Sequence, residues 1–258
     1  MTQLSASSKG TRPEGAVNES DASRRVREMF TRIAPRYDFL NHFLSLELDR
    51  LWRGRTARIL APILRNPDAR VLDLCCGTGD LAFALSRRGK ARVVGADFAH
   101  TMLVRARQKA RMAPERSGED AAVFLEADAL RLPFGDRVFD LVTTAFGFRN
   151  LANYEAGLQE IRRVLKPGGT AAILEFTEPP RGFLGDFYRW YFRKLLPRIG
   201  GWISGEQSAY KYLPNSVARF FSPEELVQLL AEAGFERVER RVWTFGTLAL
   251  HTGVRKRD

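Results

Sequence analysis

The spacing of apolar positions changes along the chain, and the changes divide it. Residues 1 to 22 carry Ser, Thr, Gly, Pro and Asn with few apolar side chains, so 1–22 reads as a disordered tail. Helical spacing begins with Val26, Met29, Phe30 and Ile33. Pro35 interrupts it, and a second helical stretch is expected from about Phe39 to Leu64, making 23–66 a helical cap. From Arg70 onward, short apolar runs alternate with amphipathic ones. Strands are expected at Val71–Cys75, Arg92–Asp97, Ala122–Glu126, Phe139–Ala145 and Thr170–Phe176. The helices between them fall at Asp80–Arg88, about Thr101–Met112 and Tyr154–Leu165, the last stopped by Lys166-Pro167-Gly168-Gly169.

Near the end, Ser222-Pro223-Glu224-Glu225 opens another helix. Ser caps it, Pro suits its first turn, and the glutamates complement its dipole. That helix ends at Gly234, and apolar strands at about 236–243 and 245–254 form a closing hairpin joined near Gly246. Strands alternating with helices specify an α/β fold, a doubly wound and mostly parallel sheet covered on both faces. No internal repeat is visible, and 23–258 reads as a single domain.

Composition narrows the class. At 258 residues and 45% hydrophobic content the chain is globular and large enough to bury a sizeable core. No apolar run reaches the roughly 18 residues a membrane span needs, and Met1–Gly10 lacks the apolar stretch of a secretory signal. A cytoplasmic protein is expected. Cys75 and Cys76 are adjacent, which strains an ordinary disulfide, so they read as core or cleft thiols. His42, His100 and His251 complete no metal set with them, and no metal is expected. The net charge of +11 favours anionic partners. The arginines are scattered with no block of five like charges, so nucleic acid is not expected.

The candidate chemistry lies between the first strand and its helix, in Asp73-Leu-Cys-Cys-Gly77-Thr78-Gly79-Asp80-Leu-Ala82. Gly77 and Gly79 let backbone approach a ligand closely, with Thr78 between them. Gly77-x-Gly79-x-x-Ala82 also satisfies the dinucleotide fingerprint, so the loop by itself leaves the cofactor open. Three carboxylates tilt the choice toward S-adenosylmethionine. Asp73, at the end of the first strand, suits a cationic amino group and would repel a pyrophosphate. Asp97 ends the second strand, where a carboxylate accepts from ribose hydroxyls. Asp128 follows the third, placed to accept from an adenine amino group with Ala129 packing beside it.

Together with Arg163-Val-Leu-Lys-Pro-Gly-Gly169, this order resembles class I S-adenosylmethionine-dependent methyltransferases over about residues 70–176. That resemblance implies a seven-stranded sheet with the last strand antiparallel. The flanking motifs are more specific. Val26-Arg-Glu-Met-Phe30, Ala34-Pro-Arg-Tyr37-Asp38-Phe-Leu-Asn41, Asp49-Arg-Leu-Trp52-Arg53, Phe146-Gly-Phe-Arg149-Asn150, Glu175-Phe176, Leu196-Pro-Arg-Ile-Gly200 and Tyr210-Lys-Tyr212-Leu213 resemble the ubiquinone/menaquinone biosynthesis C-methyltransferases. The implied reaction is C-methylation of a polyprenylated quinol, demethylmenaquinol foremost and the related benzoquinol besides. Arg149 is the candidate to stabilise phenolate charge and Asn150 to orient the hydroxyl or a water. Tyr37, Tyr210 and Tyr212 are candidates to face the quinone. Where Ala145 stands, family members can carry a small hydroxyl residue, so no contact is carried over to it. The aromatic and basic stretch from Phe183 to Leu196, within an insertion at 183–216, is a candidate to meet an anionic membrane. Oligomeric state is not legible. Two other readings stay open: a class I methyltransferase for another small aromatic, and a non-catalytic S-adenosylmethionine-binding protein.

Overall fold

The structure is a computed structural model that describes residues 10–45, 47–112, 122–179, 182–191, 194 and 207–257. Four helices precede the sheet: α1 (Glu19–Ile33), α2 (Tyr37–Leu44), α3 (Leu48–Ile59) and α4 (Ala61–Leu64). Asn18 caps α1 by accepting from the Asp21 N–H, and Val26, Met29 and Ile33 are its buried face. The single helix expected over 39–64 is three. Glu47, in the left-handed conformation, turns the chain into α3, and Pro62 starts α4 in a first turn.

The sheet is built from β1 (Arg70–Leu74), β2 (Arg92–Asp97), β3 (Val123–Glu126), β4 (Phe139–Ala145), β5 (Leu165–Phe176), β6 (Phe235–Trp243) and β7 (Leu248–Arg255). Its order is β3-β2-β1-β4-β5-β7-β6, with β1 to β5 parallel and β7 antiparallel to both β5 and β6. This is the doubly wound, mostly parallel sheet expected from the alternation, closed by the expected terminal hairpin. Between the strands lie α5 (Asp80–Ser86), α6 (His100–Met112), α7 (Tyr154–Val164), α8 (Phe183–Trp190), α9 (Gln207–Ala218) and α10 (Pro223–Glu232). The Ser222–Glu225 capping box opens α10 as the sequence indicates.

The pleat sends alternate residues to opposite faces. Val71 packs on one face with Leu81, Leu85 and Leu103, while Leu72 and Leu74 pack on the other with Leu158, Ile161 and Leu230. Both faces are covered, so the strands read as continuous apolar runs. One local expectation is corrected here. Residues 166–169 do not simply end a helix. They bulge out between Leu165, paired with Phe139, and Thr170, paired with Leu141, so β5 begins at once after α7.

The tail is corrected too. Residues 10–18 lie along the body, and Thr11 N–H donates to the Leu151 carbonyl at 2.7 Å. A Cβ at Gly10 would fall 2.0 Å from the Ala152 carbonyl oxygen, so a glycine is what lets the chain lie there. Composition alone signals low propensity for a core, and cannot show that a polar segment has backbone partners elsewhere. Residues 1–9 and most of 192–206 lie outside the described residues, and with them much of the expected 183–216 insertion.

Candidate active site

β1 sits between β2 and β4, so the chain leaves β1 toward one sheet edge and returns to build the other half. Doubly wound sheets bind ligands in the crevice at this switch, outside the carboxyl ends of the strands. A cleft partly open to solvent lies there. The loops after β1, β2, β3 and β4 supply its floor, and Ser23, Phe30 and Tyr37 of the cap supply its roof.

The glycine loop forms one wall. Gly77 takes φ +56°, and a Cβ there would meet only the Tyr37 ring at 3.9 Å, so the space above its backbone is open. Gly79 takes φ +87° and starts α5. A Cβ there would fall 2.8 Å from the Phe124 ring. Asp97 at the end of β2 holds the loop. One of its oxygens accepts from Gly77 N–H and the other from Ala99 N–H, both at 2.8 Å. Burial pushes its carboxyl up to about 6. Asp128 lines the cleft after β3, with one oxygen accepting from Leu130 N–H at 2.9 Å, and Ala129 lies beside it.

Gly77, Asp97, Asp128, Ala129, Asn150 and Tyr37 are thus brought together at the cleft. Asp73 and Thr78 are not. Asp73 shares the face of Val71, away from the opening, where Thr143 Oγ1 donates to it at 2.8 Å across the β1–β4 pair. Burial raises its carboxyl to about 7. Thr78 is buried and turns toward the cap: its hydroxyl donates to Asp38 of α2 and accepts from Lys109 of α6 at 3.0 Å. Lys109 also pairs with Asp38 at 2.8 Å and Asp80 at 2.6 Å. The loop hydroxyl therefore fastens the cap rather than facing the cleft.

Arg149 lies apart from the cleft-lining residues. Its guanidinium is buried and pairs with Glu175 Oε1 at 2.6 Å, while its own backbone N–H donates to Glu175 Oε2 at 3.1 Å. It also donates to the Phe146 carbonyl and to Ser216 Oγ. Arg149 does not line the cleft. It neutralises a glutamate that is fully enclosed in β5, and so pins the loop after β4. Asn150 does reach the cleft, with Nδ2 donating to the Phe146 carbonyl at 3.2 Å and Oδ1 accepting from the Tyr212 hydroxyl at 3.0 Å. Tyr210 lies on α9, and its side chain is outside the described residues.

Several cleft residues have no mark in the motifs. Phe98 of the loop after β2 and Met102 of the first turn of α6 bring apolar walls, and Ser23 comes from α1. Phe146 and Cys75 hold φ of +60° and +54°, strained values for such side chains that recur where a site dictates backbone shape. His42, Asp49 and Asp80 approach one another beneath the glycine loop, but Arg53 pairs with Asp49 and lies 3.7 Å from Asp80. This cluster already holds cations of its own.

The comparisons with known proteins agree with this geometry. Residues 18–255 match the ubiE/COQ5 methyltransferase family. The chain belongs to that family. A demethylmenaquinone methyltransferase of Thermus thermophilus is 52% identical over 228 residues, 88% of this chain and 100% of the relative. A ubiquinone/menaquinone biosynthesis C-methyltransferase of Geobacter sulfurreducens is 42% identical over 91% of this chain and 90% of its own length. Among solved structures, a SAM-dependent methyltransferase of Thermotoga maritima superposes with a TM-score of 0.62 at 24% identity, over 90% of this chain and 100% of that one. That likeness concerns the fold. As a family member the chain is a methyltransferase of the Rossmann-like class.

Proposed function

We propose that the chain methylates a ring carbon of demethylmenaquinol, using S-adenosylmethionine, to give menaquinol. The related benzoquinol is a second substrate of the same chemistry. The observation that carries this reading is kinship across the whole length with relatives that bear that name, 52% identical in one case. The cleft fits the cofactor. Gly77 leaves open space for close approach, Asp97 offers a carboxylate suited to ribose hydroxyls, and Asp128 with Ala129 suits an adenine edge. When bound, S-adenosylmethionine supplies an electrophilic methyl on a sulfonium.

The chain's own residues must do the rest. A ring carbon becomes nucleophilic when the adjacent hydroxyl ionises, so the site has to stabilise oxyanion charge. Asn150 is the polar side chain of the β4 loop that lines the cleft, and the amide N–H it does not give to the Phe146 carbonyl is a donor for that oxygen. Tyr37, Phe30 and Phe146 supply apolar walls that exclude water and align the ring. Arg149 acts at one remove, by holding the backbone that presents Asn150.

A lipid substrate calls for a lipid-facing surface. No helix among the described residues is long and apolar enough to cross a membrane. Exposed apolar side chains do gather on the cap side: Phe39 and Phe43, stacked at 5.8 Å, Leu51 of α3, and Phe245 in the β6–β7 turn, which Trp52 ties to α3 by donating to Thr244. Trp190 is exposed at the end of α8, which packs against the same turn. With a net charge of +11, such a surface suits peripheral contact with an anionic bilayer. Product analysis with demethylmenaquinol and the demethylated benzoquinol tests the substrate assignment. Methylation of the naphthoquinol supports it, and methylation of neither overturns it.

A further inference from the structure

The N-terminal segment lies against cleft-lining Leu151 and Ala152, and one of its side chains reaches a polar group behind that wall. Thr11 Oγ1 lies 2.8 Å from the Tyr212 hydroxyl, which lies 3.0 Å from Asn150 Oδ1. The direction of these bonds follows from donor counting. Asn150 Nδ2 donates to the Phe146 carbonyl, which fixes Oδ1 as the acceptor for tyrosine. Tyr212 has one hydrogen, and it goes to Asn150. Thr11 is therefore the donor to Tyr212. With Oδ1 engaged by Tyr212, the carboxamide keeps a second Nδ2–H that has no acceptor among the described residues, and Asn150 lines the cleft.

Backbone contacts hold Thr11 in place. Its N–H donates to the Leu151 carbonyl at 2.7 Å, and Arg12 donates to the Ala152 carbonyl at 2.8 Å. Leu151 and Ala152 themselves line the cleft. We infer that residues 10–12 complete the active site, with Thr11 and Tyr212 as positioning residues that lock Asn150 as an N–H donor to the ionising substrate oxygen. Burial raises the Tyr212 hydroxyl above its ordinary pKa, which keeps its proton in place for this task.

This inference rests on the quinol reading above, and its test separates the two. The variants are Tyr212→Phe, Thr11→Val and Thr11→Ser. They are assayed for turnover with demethylmenaquinol across pH, and for S-adenosylmethionine affinity by calorimetry. A third readout is the ionisation of bound 1-naphthol, followed by absorbance with S-adenosylhomocysteine present so that no methyl moves. Tyr212→Phe is expected to lower kcat about 10- to 100-fold, the scale of one hydrogen bond to a charged group. It also moves the acid limb of the pH profile and the naphthol ionisation to higher pH, and leaves cofactor affinity within about twofold, too small a change to represent a lost hydrogen bond. Thr11→Val gives a smaller change of the same kind, and Thr11→Ser restores it. Folded variants with unchanged kcat and naphthol ionisation overturn the inference. So does a uniform loss that includes cofactor affinity, which marks a merely structural role. If the wild-type protein leaves demethylmenaquinol unmethylated, the substrate reading fails, and the naphthol titration still decides the network by itself.

Discussion

At the scale of residues, the site depends on which carboxylate each polar group meets. Arg149 and Glu175 are both buried, and their pairing is what makes either tolerable in the core. Arg149→Ala leaves Glu175 enclosed without a counter-charge, and should cost about 3–5 kcal/mol of stability in urea unfolding. It should lower cofactor affinity and turnover together, because the whole loop loosens. Replacing both partners, Arg149→Met with Glu175→Gln, should cost less than Arg149→Ala alone. Asp97 supplies a pH prediction. Burial raises its carboxyl from the ordinary 3.8 to about 6, so the better acceptor, the ionised form, is lost as pH falls through about 6. Cofactor affinity measured by calorimetry should weaken across that window, and Asp97→Asn should flatten the dependence. Gly77, Asp97, Asp128 and Asn150 were legible because each sits at a fixed offset from a strand end. Arg149 and Thr78 were not, because their partners Glu175 and Asp38 lie 26 and 40 residues away and no local pattern announces them.

At the scale of elements, the cap is fastened to the glycine loop by charge. Lys109 of α6 bridges Asp38 of α2 and Asp80 of α5, and the same Asp38 receives the Thr78 hydroxyl. Lys109→Met leaves Asp38 without its cation and Asp80 with the more distant Arg53. It should lower stability by about 1–3 kcal/mol and weaken cofactor affinity, while Lys109→Arg retains most of both. Thermal denaturation with and without S-adenosylmethionine measures the two effects. Strands β1, β2 and β4 were readable because burial on both faces makes them continuous apolar runs. The start of β5 was not: Pro167, Gly168 and Gly169 carry the signature of a helix stop, yet a bulge absorbs them and the strand pairs on either side. The segment 10–18 was not legible for a related reason, since the partners of Thr11 and Arg12 include the Leu151 and Ala152 carbonyls and the Tyr212 hydroxyl, far away in the chain and without a local signal.

At the scale of the whole molecule, the doubly wound sheet puts four loops and the cap around one cleft, and the apolar side chains of the cap and the hairpin turn face outward beside it. If that surface meets lipid, liposomes with anionic lipid should retain the protein and raise its activity. Phe39→Ser with Phe43→Ser should reduce both without altering cofactor affinity. Failure of anionic liposomes to do either contradicts the membrane reading. The central claim is carbon methylation of a quinol at this cleft. Its most direct test is anaerobic incubation of the protein with methyl-labelled S-adenosylmethionine and reduced demethylmenaquinone, followed by analysis of the lipid. The account predicts label in menaquinone, on a ring carbon, in one-to-one yield with S-adenosylhomocysteine. Bound cofactor with no labelled lipid would contradict it.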